Sequence, residues 1–70
     1  MHLHVNGRPH ELPDGTVLTT LLTTLLTTVA PEPRGVAVAV NDRVVRAAEW
    51  PVTRLHEGDR VEVVTAHQGG

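Results

Sequence analysis

The sequence lacks cysteine, and this absence excludes several kinds of site. Its 70 residues include no Cys, so disulfides, thiolate metal sites and a cysteine nucleophile are all ruled out. Small secreted domains usually depend on disulfides, so the composition favours a reducing setting. The first residues, "MHLHVNG", also lack the basic and apolar regions of a signal peptide. We therefore expect a cytoplasmic protein.

Aromatic and basic residues are scarce as well. Trp50 is the one aromatic residue, lysine is absent, and six arginines against eight acids give a net charge of −2. Nucleic-acid binding needs a basic patch or aromatic stacking platforms, and the sequence has neither. The apolar stretch from Thr16 to Ala30 is interrupted by threonine pairs and is too short to span a bilayer. We expect neither nucleic acid nor a membrane as a partner.

The first dozen residues predict a β-hairpin. Apolar and polar residues alternate from Met1 to Val5, which is typical of a strand with one buried face. Asn6-Gly7 follows, and both residues tolerate the positive φ angles of a two-residue hairpin turn. The return strand, Arg8 to Leu12, contains Pro9, which has no N–H to donate and so belongs at a sheet edge. Pro13-Asp14-Gly15 predicts a turn.

The threonine- and leucine-rich segment that follows predicts an amphipathic helix. At about 100° per residue its apolar side chains fall within an arc of about 140°, and the threonines from Thr19 to Thr28 face the other way. We expect Thr16 to be the N-cap, the threonine face to be solvated, and Pro31 and Pro33 to end the helix. The apolar stripe consists of Leu18, Leu21, Leu22, Leu25, Leu26 and Val29.

Two further strands are predicted after the helix. The run "VAVAV" from Val36 to Val40 is short and apolar, as in a strand buried on both faces. Asn41-Asp42 is a second tight-turn signal, and Arg43 to Arg46 would return antiparallel to the first strand.

The C-terminal third predicts an irregular segment and a last strand. Residues Ala47 to Leu55 show no clear period, and we expect Trp50 to anchor a satellite core beneath them. His56 to Asp59 form a turn, and Arg60 to Ala66 predict a strand with Val61 and Val63 on one face. The resulting order is strand, strand, helix, strand, strand, strand. It predicts one α+β domain, residues 1–70, in which a single mixed sheet packs on one amphipathic helix.

Side chains that could carry chemistry are dispersed along the chain. His2 and His4 share a strand face, whereas His10 should lie on the other face, so we expect no metal site. No two acids are obviously paired for general acid–base work, and no nucleophile stands out. We expect the protein not to be an enzyme. Three aspartates sit beside turn residues, where short acids bond nearby backbone: Asp14, Asp42 and Asp59.

The C-terminal Gly69-Gly70 pair is the exception. Glycine adds nothing to a core, so the pair is either a frayed end or an arm that must pass where side chains cannot. An arm of this kind could enter a channel too narrow for a β-carbon and present the Gly70 carboxylate to an enzyme. We expect a flexible tail over residues 67–70. In it, His67, Gln68 and Gly69 would pass along the channel of an enzyme, and Gly70 would carry the reactive group.

The chain resembles the ThiS family of thiamine-biosynthesis sulfur carriers. "VNG" at Val5 matches the first hairpin of the family, and "GTVLTTLL" at Gly15 matches its helix start. The other shared landmarks are "VN" at Val40-Asn41, Arg46 before Glu49-Trp50, "L-x-E-G-D" from Leu55 to Asp59, "VEVVTA" from Val61, and the final Gly69-Gly70.

The resemblance implies a ubiquitin-like β-grasp fold and a role as cosubstrate. An E1-like adenylyltransferase would use ATP and Mg²⁺ to adenylate the Gly70 carboxylate, and a persulfide enzyme would supply sulfur to form a thiocarboxylate. Thiazole synthase would consume that sulfur. The carrier itself would bind no cofactor and would be a monomer when free. We expect partners to dock on the exposed sheet surface of the last strand, at Glu62, Val64 and Ala66.

The sequence departs from the family pattern at four places. Thr19 replaces the glutamate of a Thr-x-x-Glu capping box, threonines replace charged helix residues, Val45 replaces a common proline, and His67 replaces an aliphatic residue. Three alternatives remain open: a molybdopterin-synthase small subunit, a ubiquitin-like protein modifier, and a small binding module with a frayed end. The first two share the fold and the tail.

Overall fold

The predicted order of strands and helix is confirmed. The computed structural model describes residues 1–25 and 35–65. Its elements are β1 (His2–Val5), β2 (Arg8–Glu11), α1 (Leu18–Leu25), β3 (Val36–Val40), β4 (Arg43–Val45), a 3₁₀ helix η1 (Ala47–Val52) and β5 (Arg60–Thr65).

The strands form one mixed five-stranded sheet in the order β2-β1-β5-β3-β4. β5 lies at its centre, parallel to β1 and antiparallel to β3. β2 lies at an edge of the sheet, so the N–H that Pro9 lacks is not needed by a neighbouring strand. His10 pairs with Leu3 and so lies on the face opposite His2 and His4, as predicted.

Two asparagine-led turns close the hairpins. Asn6 and Gly7 have φ angles of 51° and 81°, and Asn41 and Asp42 have φ angles of 51° and 71°. Consecutive positive φ angles define the turn whose twist matches that of paired strands. Both tight-turn predictions are confirmed.

The core lies between α1 and one face of the sheet. The leucine stripe is confirmed where it is described, since Leu18, Leu21 and Leu22 are buried and Leu25 is partly buried against them. The remaining core residues come from the sheet, from η1 and from the loop before β5: Leu3, Val5, Val38, Trp50, Leu55 and Val61. Each fully buried aliphatic side chain contributes about 1.5–3 kcal/mol through removal from water.

The prediction of Thr16 as the N-cap is wrong. The Thr16 hydroxyl donates to the Pro13 carbonyl (2.7 Å) and does not accept a helix amide. The first helical bonds run to the Val17 carbonyl instead. The physical reason is a bridge to residues 53–55, in which Leu18 N–H donates to the Thr53 carbonyl (2.8 Å) and delays the start of the helix.

The segment predicted to be irregular forms η1, and Trp50 belongs to the main core. η1 packs against α1, which places the Trp50 ring, 6% exposed, among the core residues. Its indole N–H donates to the Val45 carbonyl (2.9 Å). A buried tryptophan needs such a partner. The prediction of a satellite core is therefore wrong.

The prediction that β3 is buried on both faces is also wrong. Val36, Val38 and Val40 face α1, whereas Ala37 is exposed and Ala39 only partly buried on the opposite face. Among residues 1–25 and 35–65, no element covers that face, which we call the open face. The predicted helix end, including Leu26 and Val29 and the two prolines, lies outside the described residues, as do the threonines beyond Thr24.

Candidate functional site

β5 is the element that leads to the predicted site. It runs through the centre of the sheet and its last residue, Thr65, pairs with Val36 of β3. Ala66 and the predicted tail residues lie outside the described residues. The structure therefore places the strand that precedes the tail, and it shows what fixes that strand at each end.

A hydrogen-bond network fixes the start of β5. Asp59 is 8% exposed, and its carboxylate accepts from the backbone N–H of His56 (2.7 Å) and from the side-chain amide of Asn41 (2.9 Å). The Asn41 side-chain oxygen in turn accepts from the N–H of Arg60 (2.9 Å). Carboxylates that accept two N–H donors tie loops firmly. Two loops distant in sequence are thus joined where β5 begins.

The other two turn aspartates behave differently. The Asp42 carboxylate lies 3.0 Å from the Arg60 guanidinium, and Asp14 lies 3.4 Å from the N-terminal ammonium of Met1. Both carboxylates are exposed, so each pair contributes at most about 1 kcal/mol. The predicted bond from a turn aspartate to nearby backbone is found at Asp59.

The Asn6 side chain ties the second half of β5. Its amide oxygen accepts from the N–H of Val63 (2.8 Å), and its amide nitrogen donates to the Val63 carbonyl (3.2 Å). The sequence indicated Asn6 and Asn41 only as turn formers. Their side-chain partners are distant in sequence, and "N-G" or "N-D" gives no local signal of them.

The predicted partner-surface residues Glu62 and Val64 lie on the open face. Val64 is 63% exposed and pairs with Ala37, and Glu62 pairs with Ala39. Val44, 79% exposed, pairs with Ala39 from the other side. Four small apolar side chains therefore share this part of the face, which we call the valine patch: Ala37, Ala39, Val44 and Val64.

The β1 side of the open face is charged. His4 pairs with Arg60, and His2 lies on the same strand face. The His2 imidazole is 3.8 Å from the Glu11 carboxylate and 3.5 Å from that of Glu57. Glu62 lies between these charges and the valine patch. One half of the open face thus suits an apolar partner surface and the other half a polar one.

The described residues contain no set that could hold a metal ion. Across residues 1–25 and 35–65, no three His, Asp or Glu side chains converge for ligation. In the same ranges no helix is long and apolar enough to cross a bilayer.

Comparison with known proteins assigns the family. The ThiS family matches residues 3–70. This chain belongs to the ThiS family. A crystal structure of the thiamine biosynthesis protein ThiS from Geobacter metallireducens is similar over the full length of both chains, with 32% identity and a TM-score of 0.78. An NMR structure of a thiamine biosynthesis protein from the same organism covers the whole of this chain and 88% of its own, at 29% identity and a TM-score of 0.78. No curated protein matches the chain.

The comparisons confirm the expected ubiquitin-like β-grasp fold. The mixed five-stranded sheet and the helix across one face have the arrangement of the ThiS structures. The family match extends to residue 70, so it includes Gly69 and Gly70. The fold and the family are thereby established.

Proposed function

We propose that this protein is the sulfur carrier for thiazole formation in thiamine biosynthesis, loaded at the Gly70 carboxylate. The observation that carries the proposal is the ThiS family match over residues 3–70, which runs through the Gly69-Gly70 pair. The similarity to a thiamine biosynthesis ThiS protein over the full length of both chains supports it. The partner enzymes bind the folded domain, and Gly70 is the residue that reacts.

Loading would proceed in three steps on Gly70. An E1-like adenylyltransferase binds ATP and Mg²⁺, the Gly70 carboxylate attacks the α-phosphate, and pyrophosphate leaves to give an acyl-adenylate. The terminal sulfur of a cysteine persulfide on a sulfur-donor enzyme then attacks the acyl carbon, and AMP leaves. A thiol finally cleaves the sulfur–sulfur bond, which releases the Gly70 thiocarboxylate and leaves a disulfide on the donor side.

The composition suits this chemistry. An activated acyl group is open to any nearby thiolate, and this chain has no cysteine to intercept it. Its lack of lysine likewise removes the side-chain amines that could form an amide within the chain. The tail glycines carry no β-carbon, so His67 and Gln68 would lead an arm that narrows toward its reactive end. The protein acts as a cosubstrate of thiazole synthase, holds no cofactor and is not itself a catalyst.

The valine patch would be the docking surface for the adenylyltransferase. Exposed apolar residues that cluster beside polar ones are typical of protein–protein contacts. The patch includes Val64, one residue before the end of β5. A partner bound to the patch would therefore contact the strand that precedes the tail. Glu62 borders the patch, and Ala66 follows Thr65 in the sequence toward Gly70.

Intact mass after loading tests the proposal. The full chain is incubated with adenylyltransferase, ATP, Mg²⁺ and the persulfide enzyme. We expect its mass to rise by the difference between a sulfur and an oxygen atom. A variant with one residue added after Gly70, and a variant lacking Gly70, should fold normally and stay unloaded. Loading of the extended variant at its new end would refute the tail argument.

Adding the downstream enzymes separates the alternatives. Thiazole synthase and its other substrates should return the loaded protein to its original mass. If molybdopterin synthase consumes the sulfur instead, the pathway is wrong although the carrier chemistry stands. If the product is an amide to lysines of other proteins, the chain is a modifier and the proposal fails.

A pair of exposed valines tests the docking surface. Val64→Ser should raise the KM of the adenylyltransferase for the carrier by about fivefold, because a buried valine at an interface contributes roughly 1 kcal/mol. Val52, 74% exposed at the end of η1, is the matched control. Val52→Ser should leave KM unchanged. Equal effects of the two substitutions would exclude the valine patch as the docking surface.

A further inference from the structure

β5 loses its strand neighbour on one side before it ends. On that side it pairs with β1 at Arg60 and Val61, and the β1 ladder stops there. The β3 ladder continues on the other side through Thr65. Since successive strand residues direct their N–H and C=O groups to opposite sides, Val63 turns both groups toward the side where β1 has ended. Asn6 meets them there.

Asn6 imitates a strand residue at this point. Its amide oxygen accepts from Val63 N–H at 2.8 Å and its amide nitrogen donates to the Val63 carbonyl at 3.2 Å, which is the donor–acceptor pair a strand neighbour would supply. The Asn6 N–H donates to the Val61 carbonyl (2.8 Å), and the positive φ of Asn6, 51°, then starts the turn that takes the main chain away, so beyond Val61 the side chain continues the contact. One residue thus closes the hairpin and extends the sheet.

We propose that Asn6 is a positioning residue for loading, which fixes the end of β5 and so sets the direction in which the tail leaves the body. The inference rests on the proposed function. Val63 precedes Gly70 by seven positions. Holding a reacting group in the correct geometry speeds its reaction. A well-oriented β5 would therefore favour presentation of the Gly70 carboxylate to the active site of the adenylyltransferase. Asn6 acts through Val63 and touches no reacting atom.

Asn41 provides a matched control. It has the same φ of 51°, it leads the other tight turn, and its side chain also bonds β5, but at Arg60 where the strand begins. Glycine fits both turns because it adopts positive φ without strain. Asn6→Gly and Asn41→Gly each remove an acceptor from one β5 backbone N–H, that of Val63 or that of Arg60, and Asn41→Gly also removes a donor from the Asp59 carboxylate. Only the first removes a bond from the end beside the tail.

Amide hydrogen exchange tests the anchoring. In Asn6→Gly, protection of the Val63 amide should fall by about fivefold to tenfold and that of Arg60 should stay, because the lost bond belongs to Val63. In Asn41→Gly the pattern should reverse. Asn6→Asp keeps an acceptor for Val63 N–H but replaces the donor to the Val63 carbonyl by an oxygen, so it should restore part of the protection. Unchanged protection at Val63 in Asn6→Gly would overturn the inference.

Loading kinetics test the positioning, in conditions where every variant is folded. Asn6→Gly should lower kcat for thiocarboxylate formation by about threefold to tenfold with little change in KM, since docking at the valine patch is kept and presentation of Gly70 is impaired. Asn41→Gly should leave both constants unchanged, and Asn6→Asp, which keeps one of the two bonds to Val63, should recover part of kcat.

The outcomes separate this inference from the proposed function. If the unaltered protein is loaded but Asn6→Gly matches Asn41→Gly, whether both are normal or both slow, positioning by Asn6 is disproved and the carrier function stands. If the unaltered protein is never loaded at Gly70, the proposed function fails, and the loading role of Asn6 fails with it. The exchange measurement then still decides whether Asn6 anchors β5.

Discussion

α1 and the segment from β4 to the start of β5 hold the same core by different means. The fully buried side chains of α1 are all leucines, and the hydrogen bonds of its exposed threonines stay inside the helix, from Thr23 and Thr24 to the carbonyls one turn earlier. In the second segment Trp50 and Asp59 each bond a specific group of another element. The helix supplies apolar volume, and the second segment supplies specific pairing.

This contrast explains where the chain resembles its family and where it departs. Asn41, Trp50 and Asp59 are among the landmarks shared with ThiS proteins, and each has a side-chain partner that a different residue type would lose. Substitutions on the solvated face of such a helix usually change stability by no more than about 0.5 kcal/mol. Threonines can therefore replace charged residues in α1 while the fold is kept.

The largest expected effect comes from removing volume in α1. Leu22 is 1% exposed, and Leu22→Ala should lower the free energy of unfolding by about 3 kcal/mol through lost burial and the cavity left behind. Leu22→Met keeps most of the volume and should cost less than about 1.5 kcal/mol. Urea unfolding measures both. If methionine costs as much as alanine, α1 depends on exact side-chain shape and does not merely supply apolar volume.

A change that preserves volume should be costly in the second segment. Asp59→Asn keeps the size of the side chain but turns an amide N–H₂ toward one of the two donors, His56 N–H or Asn41 Nδ2. We expect a loss of about 2 kcal/mol, since a buried donor is left without an acceptor. Asp42→Asn, at an exposed carboxylate, is the control and should cost under about 1 kcal/mol in the same urea series. A neutral Asp59→Asn would show that volume suffices here as well.

The same contrast decides what the sequence could predict. The leucine period and the two positive-φ turns are local, so the helix, both hairpins and the edge position of β2 could be predicted. The N-cap could not be, because the bond that displaces it comes from Thr53, far along the chain. The roles of Asn6 and Asn41 were missed for the same reason. Gly70 is predicted as the reactive residue from the Gly69-Gly70 pair and from the family resemblance, whereas a local rule alone leaves a frayed end open as the alternative.

Exposed threonines of α1 should be replaceable with a gain. Thr20, Thr23 and Thr24 are exposed, and threonine is about 0.5 kcal/mol worse than alanine in a helix. Replacing all three by alanine should raise the free energy of unfolding by about 1.5 kcal/mol, even though two side-chain hydrogen bonds are lost. Thermal and urea unfolding measure the gain. A net loss would mean that those hydroxyls stabilise α1, which would weaken the claim that it contributes only apolar packing.

The smallest effect concerns Thr19 of α1. Its buried hydroxyl is an exception to the apolar packing that α1 otherwise contributes to the core. The Thr19 hydroxyl oxygen is buried, and in residues 1–25 and 35–65 it has no hydrogen-bond partner. Thr19→Val keeps the branched shape and removes a polar atom that lost its water on folding, so stability should rise by about 0.5–1 kcal/mol. Thr20→Val makes the same chemical change at an exposed position and should stay within about 0.5 kcal/mol of the original. If valine at position 19 destabilises the protein while valine at position 20 does not, the Thr19 hydroxyl makes a specific bond after all, and α1 would then resemble the second segment in depending on a named partner.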